Sequence, residues 1–160
     1  MSDLAVGFVS AIPYLAAAIG MVIIGWSSDR SGERRWHVAL CAFTGTAGLL
    51  AAAFLNAPFA GLIALAVAAV GIWGALGPFW AMSSRILTGT GAAAGIALIN
   101  SVGNLGGFAG PYLVGVVRAR AHSFSGALMA LAVFPLMGGL VTLIVRDQAN
   151  AHGRTIAPTD

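Results

Sequence analysis

The sequence predicts an all-α fold, a polytopic transmembrane helix bundle of five spans, on three observations. Of its 160 residues 59% are hydrophobic and only 8% charged, where a soluble domain carries roughly a quarter charged. The apolar residues fall into five runs, each long enough to cross a ~30 Å hydrocarbon core. The 22 glycines suit helices that approach backbone to backbone, as they do in lipid.

The first span covers 4–27. Asp3 is the only early charge and the apolar run that follows is longer than the core of a secretory leader, so Leu4 onward is a membrane segment. The second covers 36–55, after a charged connection from Ser28 to Arg35. It contains the lone cysteine, Cys41, a small packing residue with no internal disulfide partner. The turn Asn56-Ala57-Pro58 leads into the third span, 59–82, where Gly71, Gly74 and Gly77 recur at helical spacing before Pro78. A polar connection, Ser83 to Leu87, precedes the fourth span, 88–117, and a basic one, Arg118 to Ser123, precedes the fifth, 124–145. Residues 1–146 thus form the bundle and 147–160 a polar tail. Pro13, Pro78, Pro111 and Pro135 sit inside spans, as ordinary kinks or as hinges.

All eight basic residues are arginines at segment ends, which reads as topology and not as a nucleic-acid surface. Arg30, Arg34, Arg35, Arg85, Arg146 and Arg154 fall on one side, Arg118 and Arg120 on the other. The first side is therefore expected to be cytoplasmic, with the C-terminus inside the cell membrane and the N-terminus outside.

The most informative stretch is Ala92 to Gly115. Wound as a helix, it puts Asn100, Asn104, Gly107 and Pro111 on one face, and Leu98, Val102, Leu105, Ala109 and Val116 on the other. Amides lose hydrogen bonds in hydrocarbon, so the polar face is expected against protein or a watery cavity and the apolar face against lipid.

Two motifs go further. The first connection reads Gly25-x-x-x-Asp29-Arg30-x-Gly32-x-Arg34-Arg35. Gly25 would let helices approach, Asp29 would accept backbone N–H groups of a helix start, and Gly32 would permit the reversal. This order resembles the loop motif of the major facilitator superfamily. The stretch Gly77-Pro78-Phe79-Trp80, with Gly95 to Ser101 and Gly103 to Tyr112, is similar to the eleventh-helix region of the anion:cation symporter branch, which includes phthalate, tartrate, glucarate and galactonate permeases. The resemblance runs from about Gly7 to Val145. It implies a partial major facilitator fold, helices eight to twelve of twelve, and hence a truncated gene, a fragmentary gene model or an internal start. It also implies organic anion:proton symport by alternating access in an inner membrane, once the missing half is supplied.

Every carboxylate and every arginine sits at a segment end or in the tail, so no mid-membrane charge is available for a proton relay or an anion. The resemblance places those groups in the absent first half. What remains is neutral recognition. Asn100 is expected to contact substrate, since an amide both donates and accepts. Trp80 is either a cavity residue, as a galactonate-type member of the branch implies by its Trp–Asn spacing, or an aromatic belt residue. Asn104 is a substrate contact or an interhelical hydrogen bond. Trp36 and Tyr112 read as interfacial anchors. His37, His122 and His152 show no metal-ligand spacing, and no phosphate loop or nucleophile arrangement is present, so neither an enzyme nor a metal or cofactor is expected. The expected partners are the lipid bilayer, and a small organic anion with a proton. The rival expectation is an inactive fragment, or a small membrane protein that only packs on other helices.

Overall fold

A computed structural model describes residues 2–121 and 123–145. Arg146, Arg154, His122, His152 and the tail at 147–160 lie outside the described residues.

Helix α1 runs Asp3–Ser31, its start capped by Ser2 Oγ, which accepts the Ala5 N–H at 3.4 Å. It continues four residues beyond the expected end and takes in Asp29 and Arg30. Nothing from Ser28 to Ser31 breaks a helix, and charge is tolerated once the chain has reached water. The stop is Gly32, at φ 69°, a left-handed conformation that glycine adopts without Cβ strain.

Helix α2 spans Arg35–Phe54 and α3 spans Pro58–Gly74, with Pro58 in the first turn, where its missing N–H costs nothing. The sequence reading drew one span at 59–82. The structure divides it, α3 ending at Gly74 and α4 running Leu76–Ile86. Pro78 is the cause: it cannot donate to the Gly74 carbonyl, and its ring crowds that oxygen. Pro78 is fully buried at this break. A 3₁₀ turn at Gly89–Gly91 then leads into α5, Ala92–Ala121, and Ser123 Oγ caps α6, Phe124–Ile144, by accepting the Gly126 N–H at 3.3 Å. With α3 and α4 taken together, the described residues hold five segments long and apolar enough to cross a membrane.

The helices lie side by side in the order α1, α3, α2, α6, α5, with α4 against α1 and α2. Helix α2 is central, and small residues on it set the spacing. Gly45 and Gly48 meet Gly71, Ala68 and Ala64 of α3 so closely that a Cβ at Gly71 would overlap Gly45 N and the Cys41 carbonyl. In lipid such contacts supply the dispersion energy that apolar burial supplies in water. On the other side Gly139 of α6 lies under Phe43, and Leu49, Ala53, Ala68, Leu128 and Ala132 form a small buried cluster.

The described arginines occupy opposite ends of the bundle. At one end Arg34 pairs with Asp29 at 2.5 Å, Arg35 Nη2 donates to the Leu143 carbonyl at the end of α6, and Arg85 Nη1 reaches the Gly32 carbonyl at 3.5 Å. Arg118 and Arg120 are in the last turn of α5, at the far end. Arg35 thus ties the start of α2 to an orphan carbonyl of α6, a charge-assisted bond. Arg35→Ala is expected to destabilise the chain by about 1.5 kcal/mol, with Arg35→Lys recovering part of that. Thermal unfolding in detergent checks both.

Candidate substrate-binding face

Helix α5 is the least enclosed of the five segments: none of its most apolar window is buried. It rests on α6 and on its own 3₁₀ turn. Half-buried Gly110, Leu113, Val114 and Val117 mark the side turned towards the bundle, and Gly126 of α6 lies beside Val117. Higher along this side Gly106, Ala109 and Gly110 face Leu49, Leu131 and Phe134 across an apolar cleft of about 450 Å³.

Of the residues expected on the lipid face, Leu98, Val102, Leu105 and Ala109 are all exposed, and Ala109 also lines the mouth of this cleft. Val116 is half-buried. Helix α6 approaches where side chains are smallest, at Gly106 and Gly110.

Asn100, Asn104, Gly107 and Pro111 are all exposed, and the helical rotation places Asn100 about 120° from Gly106. The polar face therefore meets none of the described helices. Serine 101 beside it donates its hydroxyl to the Ala97 carbonyl at 2.8 Å, a bond within the helix. Beyond Asn104, Phe108 and Tyr112 stack with ring centroids 6.4 Å apart, both exposed. Tyr112, expected as an interfacial anchor, thus has Phe108 beside it, as their four-residue spacing on a helix allows.

Trp80 lies on α4, half-buried and edge-to-face with Phe79 at 5.3 Å. Helices α4 and α5 are not packed against each other. Within this chain, then, Asn100 and Asn104 are one turn apart on a common face, and Trp80 belongs to a separate surface.

The charged connection is compact. Asp29 takes Arg34 rather than the backbone of a helix start, because α1 continues through it and turns its carboxylate back to the arginine five residues on. Asp29 keeps 70% of its side chain exposed while that of Arg34 is 13% exposed. Glu33 does the capping: its carboxylate accepts the Trp36 N–H at 3.2 Å at the start of α2. Ser28 is wholly buried, donating to the Glu33 carbonyl at 3.2 Å. Arg30 lies over the Trp26 ring at 5.4 Å, a surface cation–π contact. A Cβ at Gly25 would meet nothing within 4 Å; α3 packs on α1 at the neighbouring Ile24, which lies against Gly74. Among the described residues no cluster of three or more His, Cys, Asp or Glu side chains forms a metal site.

A bundle of five membrane-length helices with this loop and this uncovered amide face matches the Major Facilitator Superfamily profile over residues 1–159. The chain belongs to the major facilitator superfamily. It is 40% identical over 158 residues to a protein of Agrobacterium vitis named as a tartrate transporter, covering 99% of this chain and 36% of that protein. A quinolone resistance transporter of Acinetobacter baumannii is 41% identical over 144 residues, 90% of this chain and 33% of its own length. An inner membrane transport protein of Escherichia coli K12 is 36% identical over 152 residues, 95% of this chain and 34% of its own length. No solved structure matches the chain. This major facilitator chain spans about a third of the length of the curated relatives it matches. It is a multi-pass membrane protein whose relatives are named as transporters, not as enzymes.

Proposed function

We propose that the chain forms helices eight to twelve of a major facilitator transporter and supplies one wall of a central cavity that moves a small organic anion, a sugar acid or an aromatic or dicarboxylic acid, with protons by alternating access. The observation that carries this reading is the amide face of α5, exposed along its length while the other helices pack together. An exposed pair of amides in a membrane helix calls for a polar neighbour. Asn100 would orient the substrate by donating to a carboxylate or accepting from a hydroxyl, Asn104 would extend that contact one turn on, and Trp80 would close the cavity from α4. Gly25, Asp29, Arg30, Gly32, Arg34 and Arg35 would form the loop against which the other half moves, Gly25 and the open side of Asp29 being the contact points.

Among the described residues the carboxylates and arginines all lie at helix ends. The charge that attracts an anion and the carboxylate that carries a proton would therefore come from helices outside this sequence. Residues 1–146 would be the bundle and 147–160 a tail on the cytoplasmic side of the inner membrane, the side of Arg30, Arg34, Arg35 and Arg85.

The test is co-expression of the 160-residue chain with a polypeptide carrying the first seven helices of the tartrate transporter relative. Uptake of labelled tartrate is expected from the pair, abolished by a protonophore, and absent from either part alone. A pair that assembles without uptake identifies an inert packing partner. Proton-driven uptake by the 160 residues alone contradicts the division of charge proposed here.

A further inference from the structure

We infer that the Gly107 carbonyl is a third recognition group on the amide face, and that it selects hydroxylated over unhydroxylated acids; this rests on the transport reading above. Pro111 has no N–H, so the bond that Gly107 C=O would accept from the residue four positions on cannot form. Helix α5 nevertheless continues without interruption from Ala92 to Ala121, which leaves that oxygen unpaired within an ordered helix.

The Pro111 ring lies over one side of that oxygen, and the rest of its surroundings are uncovered. Gly107 and Pro111 are both exposed, and a Cβ built at Gly107 would meet nothing within 4 Å. The other helical prolines differ: Gly74 and Leu131, whose carbonyls Pro78 and Pro135 free, are buried and half-buried, and Val9, whose carbonyl Pro13 frees, is exposed but lies among the apolar Ala5, Val6 and Ile12. Only at Pro111, among the described helices, does a freed carbonyl lie on an uncovered polar face.

The position fits a ladder of groups. Along the axis Asn100 precedes Asn104 by about 6 Å and Asn104 precedes Gly107 by about 4.5 Å, all within roughly 60° of one another around the helix. Each amide can donate to a carboxylate. A backbone carbonyl can only accept, so it rewards a substrate hydroxyl and gives nothing to a carboxylate or a methylene. In a water-poor cavity an unmet carbonyl carries a desolvation penalty, so the acid lacking the hydroxyl is disfavoured by more than a missing contact. The ligand chemistry is thus a short α-hydroxy or polyhydroxy carboxylate, its acid group at the asparagines and a hydroxyl at Gly107.

The co-expressed pair described above supplies the assay, with labelled tartrate uptake inhibited by unlabelled tartrate or by succinate, the same skeleton without hydroxyls. Pro111→Ala restores the N–H and closes the bond to Gly107. The preference for tartrate over succinate is expected to shrink roughly three- to tenfold. Pro111→Gly restores the N–H while keeping a flexible helix, and it is expected to lose the preference equally. If Pro111→Gly keeps the wild-type preference while Pro111→Ala loses it, the proline acts through the helix bend and the inference is overturned. An undiminished preference in both variants overturns it too, leaving the transport reading intact. Absence of uptake in the unsubstituted pair removes both together.

Discussion

Replacing Gly71 with leucine is expected to prevent the bundle from closing, with monodisperse protein in detergent reduced at least tenfold. Gly71 of α3 lies against the backbone of α2, and the atoms a Cβ would overlap are Gly45 N and the Cys41 carbonyl. Backbone atoms of a regular helix cannot rotate aside as a side-chain terminus can. The two helices must separate, which opens the contacts of Gly48 with Ala68 and Ala64 further along the same interface. Even Gly71→Ala is expected to cost about 1–3 kcal/mol by overpacking. Gly20→Ala should cost less, because its new methyl meets the Val70 Cγ1 end of a side chain. Gly77→Leu is the control, with nothing within 4 Å of the added atom. Size-exclusion profiles and thermal unfolding of the four variants give the order. Wild-type behaviour of Gly71→Leu, or failure of Gly77→Leu alone, would mean that α2 and α3 do not meet along this line.

Much of this architecture is readable from residue order because bilayer thickness fixes the length of an apolar run and Pro, Gly and Arg punctuate it. The five membrane-length segments and the amide face of α5 follow from those rules. Other features depend on contacts that sequence distance hides. Pro78 was visible, but whether it bends a helix or divides it depends on how α4, with Pro78 buried, packs against α1 and α2. Asp29 read as loop because it is charged; it is helical because Gly32, and not charge, is where α1 can stop. The side of α5 that turns to the bundle was not legible, since glycine and alanine are as acceptable to lipid as to a neighbouring helix. Trp80 and Asn100 could be linked only through a spacing of twenty residues, and their helices are not packed together here. Under the proposed function that pair would meet only across a cavity closed by a second wall.

Asn100→Ala is expected to lower tartrate uptake by the co-expressed pair about tenfold to a hundredfold without lowering the amount of folded chain. The two halves of that expectation have separate causes. Asn100 is exposed, on a helix with no neighbour at that face, so its removal leaves no cavity and no orphaned partner. Alanine is also the better helix former. Folding is therefore spared. A substrate that used both ends of the amide loses two hydrogen bonds, each worth about 0.5–1.5 kcal/mol net, and leaves its own polar atoms unmet in a water-poor cavity. Asn104→Ala should cost less, since that side chain would touch the ligand one turn away and with a single bond. Asn100→Asp is the sharper variant. It preserves size and one acceptor but sets a negative charge beside a substrate anion, a repulsion of about 4 kcal/mol at 4 Å under an effective dielectric near 20. Uptake should fall further than with alanine, and acidification should restore part of it as the new carboxyl takes up a proton. If uptake by Asn100→Ala and Asn100→Asp matches that of the unsubstituted pair, the amide face of α5 is a packing surface for the other half and not part of the substrate's path.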